Sequence, residues 1–399
     1  MKANFDNTVI VIGADHHNTL AVIRCLGRKQ CNQKVLIHSQ KSATEKISLS
    51  QSRYAVGKTW RVNETEEDIL QWLLNHTEEK QQVLFPCSDL AAYVIDANFT
   101  RLAPYYIMPG FKRRPGKVVE LMDKIQQSRF AAEHNLAMAR TWKLCNNDGF
   151  QIPEDMVYPC IAKPEISAFG RKSDIVICNS AVELTGALEI LAKNGYQSLV
   201  IQQFLHKKYE ICAYGCLVDT KRLCAGGTIC KTREFPPQGG GSLTYARFVD
   251  EEAVNILRDR VLAILYESGY RGQYDIEFLV CEDGVYLNEI NFRHSGNGYA
   301  LVQNGVFAPY IWCADALGVE IVGKLKTTVR TGKYHMDELS DLRHVKSHRI
   351  TIWKWLRDCI QTSAFSKLDI RDLPGTMAYY KPYMKNMVGK VFRRSGKQK

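Results

Sequence analysis

Tyr274-Asp-Ile-Glu-Phe-Leu279 and Val285-Tyr-Leu-Asn-Glu-Ile-Asn-Phe-Arg293, joined by the turn Glu282-Asp-Gly284, read as two strands of a hairpin. Side chains alternate across a strand, so Glu289, Asn291 and Arg293 share one face of a strand that also carries the apolar Leu287 and Ile290. Glu277 lies on the partner strand, between Ile276 and Phe278. Carboxylates set among buried apolar residues are costly unless something compensates them. Magnesium does so, because it takes oxygen ligands and is held by one or two carboxylates together with substrate phosphates. Glu277, Glu289 and Asn291 are therefore candidate metal ligands. Arg293, one alternation further, is a candidate for neutralising charge on a transferred phosphoryl group.

Three further pieces work outward from this hairpin. Met122-Asp-Lys124 opens a helical stretch expected over 118–135, and Ile161-Ala-Lys-Pro164 is a short strand ending in lysine and proline. Lys124 and Lys163 supply compact cations of the kind that bind nucleotide phosphates. Leu199-Val-Ile-Gln-Gln-Phe-Leu205 is an apolar strand that breaks into a polar hinge, with Glu210 shortly after. Gln202, Gln203, Phe204 and Leu205 can present backbone groups to an adenine edge, and Glu210 can accept ribose hydroxyls.

The first hundred residues alternate strands and helices. Strands are expected at Thr8–Gly13, Lys34–His38, Val83–Pro86 and Tyr106–Met108, and helices at 18–28, 69–74 and 89–96. That alternation argues for an open parallel α/β layer. Gly13-Ala-Asp-His-His lacks the later glycines of a dinucleotide fingerprint, so nicotinamide binding is not supported. Asp15, His16 and Asp89 follow strand ends, where ligands of open α/β sheets sit, although all three also suit helix caps.

Taken together, the lysine-bearing helix start, the Lys-Pro strand, the Gln-Gln-Phe-Leu hinge and the Glu-Phe…Asn-Glu-Ile-Asn-Phe-Arg hairpin resemble the ATP-grasp superfamily over roughly 120–315. Glu277 and Glu289 are twelve positions apart, as in its biotin carboxylase and carbamoyl phosphate synthetase branches. The resemblance implies a preATP-grasp α/β domain over 1–113, a two-subdomain ATP-grasp fold over 114–318 and a helix-rich basic extension over 319–399. It also implies ATP and Mg2+ as cofactors, with Mn2+ as an alternative ion. Lys124 and Lys163 would then hold phosphates, Gln202 to Leu205 the adenine, Glu210 the ribose, and Glu277, Glu289 and Asn291 the metal. The family's flexible loop is rich in glycine, whereas 165–173 here has Gly170 alone, with Arg171 and Lys172 beside it.

The superfamily mostly activates a carboxylate as an acylphosphate that a nucleophile then displaces. Lys231 and Arg233 alternate in Thr228-Ile-Cys-Lys-Thr-Arg-Glu-Phe235 and run into Pro236-Pro-Gln-Gly-Gly-Gly-Ser242. They are candidate catalytic residues that clamp a substrate carboxylate. This segment is similar to stand-alone carboxylate–amine ligases of the D-aspartate ligase type. The expected activity is amide-bond formation from small-molecule or precursor-linked acid and amine substrates. The alternatives are carboxylase or carbamoyl phosphate-type chemistry, or nucleotide binding without turnover.

The net charge of +11 is unevenly placed. Residues 321–399 hold 18 Lys/Arg against 6 Asp/Glu, while the rest holds 35 against 36, so the main body is not expected to bind nucleic acid. From Leu373 to Lys399 seven basic residues, with no acid, mix with Tyr379, Tyr380, Tyr383, Met384, Met387 and Phe392. That mixture predicts peripheral contact with an anionic membrane surface or envelope precursors, and Trp353–Ile360 predicts an amphipathic helix. The thirteen cysteines include no Cys-x-x-Cys pair and sit mostly in apolar runs, as reduced thiols do. With no signal-peptide pattern, the expectation is a cytoplasmic protein, with a homodimer left open.

Overall fold

Val9–Gly13 is fully buried, as a run of branched apolar residues ending in glycine requires, and it forms the middle of the first sheet. The computed structural model describes residues 4–41, 45–146, 149–164, 174–220, 224–237, 241–321 and 326–395, with backbone only at 164, 224 and 385–395. The first sheet is parallel throughout, in the order Thr59–Val62, Gln33–His38, Val9–Gly13, Gln82–Pro86, Tyr106–Ile107. The expected open α/β layer is present. Thr59-Trp-Arg-Val62 was not anticipated, because an edge strand half-covered on both faces carries no apolar run.

A second sheet is antiparallel, in the order Thr141–Cys145, Ser198–Gln203, Cys160–Pro164, Val176–Cys178. Helix Ala181–Lys193 covers it with Leu184, Ala187, Leu188 and Leu191, spaced as one helical face demands. The third and largest sheet runs Val285–Asn291, Tyr270–Val280, Tyr209–Leu217, Cys224–Phe235, Ser242–Phe248, Tyr334–Met336, Thr362–Phe365. The hairpin is thus one edge of this sheet.

The single helix expected over 118–135 is two, Lys117–Met122 and Lys124–Glu133. Asp123 takes an extended conformation between them, and its carboxylate accepts the Ile125 and Gln126 amides at 2.7 and 3.0 Å. A side-chain cap of this kind competes with helix continuation and restarts the helix at Lys124.

Residues beyond 318 are threaded into the body. Two of their strands extend the large sheet, and Arg24 of the first helix forms a fully buried ion pair with Asp372 (2.8 Å). Tyr379 and Tyr380, read from sequence as membrane-facing, are half-buried against protein, and the Tyr380 hydroxyl donates to Glu338 (3.0 Å). One apolar cluster joins Val9, Val11 and Phe85 to Tyr299, Trp312 and Phe248, so the parallel sheet and the large sheet share a core. Among the described residues no helix is long and apolar enough to cross a membrane. The twelve described cysteines are free.

Candidate active site

The hairpin register places Glu277 opposite Glu289 and Asp275 opposite Asn291, so the four side chains share a face. Ile276, Phe278, Leu287 and Ile290 turn the other way, into the core. A bulge inserts Asn288 here, and its side-chain amide donates to Glu277 (3.3 Å). Lys124 reaches Glu289 at 3.1 Å. What holds this helix against the hairpin is Gln127, which donates to the Ile290 carbonyl (2.8 Å) and accepts the Ile290 amide (3.0 Å). Desolvation at the cleft floor, with Asp275, Glu210 and Glu289 nearby, pushes the Glu277 carboxyl up to about 7 despite Lys231.

Lys163 comes from the second sheet and donates to the Gln202 side-chain oxygen at 2.9 Å. Its ammonium is desolvated and feels Lys124, which brings its pKa down to about 8 against the pull of Glu289. The two lysines and the hairpin therefore occupy one electrostatic neighbourhood. In the hinge, the Gln203 and Phe204 amides donate to the Arg140 and Pro159 carbonyls at 2.8 and 2.9 Å, and the Leu205 carbonyl accepts the Lys207 amide at 2.9 Å.

Glu210, Cys212 and Glu277 bring ligand-type atoms within 4.8 Å of one another. Burial drives the Cys212 thiol well above its ordinary range, and both Glu210 oxygens are engaged, by Lys207 (2.8 Å) and by Lys231. A hard cation is better matched by the oxygen set of Glu277, Glu289 and Asn291.

Arg293 lies two residues past the end of its strand, not on it. Its guanidinium bonds Asp89 at 3.0 Å and Asp275 at 2.9 Å. Lys231 and Arg233, expected to clamp one substrate carboxylate, are directed to different protein carboxylates, Lys231 to Glu210. A bulge falls between the two residues, and Arg233 is held instead by Asp341 (2.7 and 2.9 Å) and Asp358 (2.6 Å). Asp15 accepts the Ser48 and Leu49 amides at 3.0 and 3.2 Å, which makes it a loop anchor. His16 caps the first helix and also lines a cavity.

Two cavities flank Lys231. One of about 370 Å³ lies on the hinge side, with Lys207, Glu210 and His344 in its wall. The other, of about 530 Å³, is walled by Glu277, Asp275 and Arg293, by His16, His17 and Asn18 of the first domain, and by Asp337, Arg343, Lys367 and Tyr379. Residues 165–173 and 238–240 of the two expected loops lie outside the described residues.

No protein-family model matches the chain. It is 21% identical to the formate-dependent phosphoribosylglycinamide formyltransferase of Sulfurovum sp. over 286 residues, 69% of this chain and 70% of that protein. It is 26% identical to the D-alanine–D-alanine ligase of Bacillus cytotoxicus over 43% of this chain and half of the ligase. In structure it is similar to the N5-carboxyaminoimidazole synthetase of Staphylococcus aureus complexed with ADP, with a TM-score of 0.63 and 13% identity. That match covers 87% of this chain and 86% of the synthetase. The L-amino acid ligase of Bacillus licheniformis matches at 0.58 and 14% identity, over 83% and 78%. This is an ATP-grasp fold.

Within this fold, sequence reasoning passed over several residues of the cleft. Asp275 had a visible signal, since it alternates with Glu277 on one strand face. Gln127 had none, because only docking on Ile290 gives it a task. Asp337 and Lys367, joined by an ion pair in the cavity wall, are 30 positions apart with no shared local pattern.

Proposed function

We propose that the chain is an ATP-dependent carboxylate–amine ligase that works through an acylphosphate. The observation that carries this reading is the position of Lys231, which bonds Glu210 and borders both the hinge-side and the deeper cavity, next to Glu277. Adenine lies along Gln202–Leu205, the ribose meets Glu210, and Lys124 and Lys163 hold phosphates. Glu277, Glu289 and Asn291 would hold Mg2+, which when bound draws negative charge off the triphosphate.

A substrate carboxylate oxygen attacks the terminal phosphorus, and ADP leaves. The amine nitrogen then attacks the acyl carbon, phosphate departs and the nitrogen gives up its proton. Lys231 and Arg293, which line the same cavity as Glu277, supply fixed positive charge that stabilises the transferred phosphoryl without solvent reorganisation. The half-enclosed cavity keeps water from the mixed anhydride. Arg233, with its guanidinium held by two carboxylates, is assigned to holding the helices beyond 337 against the sheet. The relatives' names differ in the acid and the amine, so neither is carried over to this chain.

The test is a coupled ADP-release screen over acids and amines. Glu289→Gln and Lys163→Ala should each lower turnover on the order of 100-fold or more. Turnover that survives both changes would place the site elsewhere.

A further inference from the structure

Helix Ile352–Gln361 is amphipathic but mounted inside out. A surface helix ordinarily buries its apolar face. Here the one fully buried residue is Asp358, 4% exposed and bonded to Arg233 at 2.6 Å, with Trp355 and Cys359 half-buried beside it. Ile352, Trp353, Leu356 and Ile360 fall within one ~100° arc at 3.6 residues per turn. They are 43, 77, 40 and 86% exposed. The buried ion pair with Arg233 dictates this orientation, because releasing Asp358 to turn the apolar face inward would leave a buried guanidinium short of a partner. Contiguous apolar surface kept in water in this way marks an interaction site.

The border of the stripe identifies the occupant. Lys346, Arg349, Lys354 and Arg357 surround it in sequence, and the one acid between 346 and 361 is the inward-facing Asp358. A second copy of this chain would bring the same cations face to face. A stripe on a helix ~15 Å long also falls well short of the ~800 Å² per partner of a stable interface. The described start of the C-terminal helix is engaged elsewhere, with Thr376 and Ala378 buried and Tyr383 accepting from Lys346. Large apolar side chains that include an indole, ringed by cations, match the interfacial zone of an anionic bilayer. We infer that helix Ile352–Gln361 docks the protein on anionic membrane surfaces, with Trp353, Leu356 and Ile360 entering the headgroup region.

The experiment is sedimentation of the full chain with phosphatidylcholine vesicles, with and without phosphatidylglycerol, at low and high salt. The protein should pellet with the anionic vesicles and be released by salt. Trp353→Ser combined with Ile360→Ser should weaken partitioning on the order of 10- to 100-fold. Both residues face solvent, so melting temperature and ADP release should stay unchanged. Arg357→Gln should reduce the preference for phosphatidylglycerol. Absence of vesicle binding, or binding that the double substitution leaves intact, overturns the inference. So does a concentration-dependent dimer abolished by the same substitutions, which would assign the stripe to a second copy.

Discussion

Lys163 is the residue whose surroundings most directly predict a measurable behaviour. Its ammonium is desolvated beside Lys124, so it is charged below about pH 8 and loses its proton as pH rises through that value. ATP affinity should therefore weaken above pH 8 by roughly tenfold. Lys163→Arg, charged throughout, should flatten the profile in a titration of nucleotide binding. Arg343 offers a second case. Lys231, Arg293 and Lys367 in the same cavity wall are each paired with a carboxylate. Arg343 is exposed and rests against Phe235, 5.4 Å from its ring, and has no carboxylate partner among the described residues. Arg343→Ala should raise KM for an anionic substrate about tenfold while kcat holds, the signature of binding shared by ground and transition states. An unchanged KM would remove Arg343 from recognition. Neither behaviour is visible in the sequence, because each depends on what lies around the charge.

Among the elements, the restarted helix Lys124–Glu133 shows how position is transmitted. Asp123 sets its first turn, and Gln127 locks it to the backbone of Ile290 in both directions. Gln127→Ala strands a buried amide and a buried carbonyl, each worth about 1–3 kcal/mol. Urea unfolding should show a loss of that size, and KM for ATP should rise because Lys124 loses its mount. A stability loss with ATP binding unaffected would separate the lock from the site. Existence and type of the long elements were legible: the hairpin, the buried first strand and the Lys-Pro strand all carry strong periodicity or apolar runs. The bulge at Asn288 and the edge strand Thr59–Val62 were not, since each is settled by a partner outside its own segment, and the break at Asp123 turns on a local cap that an apolar period does not register.

The whole molecule is held by contacts between its ends. Asp372 is fully buried and accepts from Arg24, Ser52 and the Arg53 amide, which ties the last helix to the first domain. Removing one partner of such a pair leaves an uncompensated charge. Arg24→Met should therefore cost about 3–5 kcal/mol, and Arg24→Met with Asp372→Leu should recover part of it. Calorimetric melting of Arg24→Met, Asp372→Leu and the double variant checks the coupling, and strictly additive losses would mean the pair is not energetically joined. The same closure brings Asp337, Arg343, Lys367 and Tyr379 to the cavity that His16 and Asn18 line from the other side.

By itself the sequence determined the alternating α/β start, the hairpin and the residue types set on its polar face. Those follow from periods of two and 3.6 residues, which are properties of neighbours along the chain. Only the tertiary structure decided that Arg233 pairs with Asp341 and Asp358, that residues after 318 contribute to the cavity wall, and that one helix faces outward with its apolar side. Each of these turns on which charge finds which partner more than 20 positions away, and the strength of such a pairing comes from desolvation that exists only once the chain has packed.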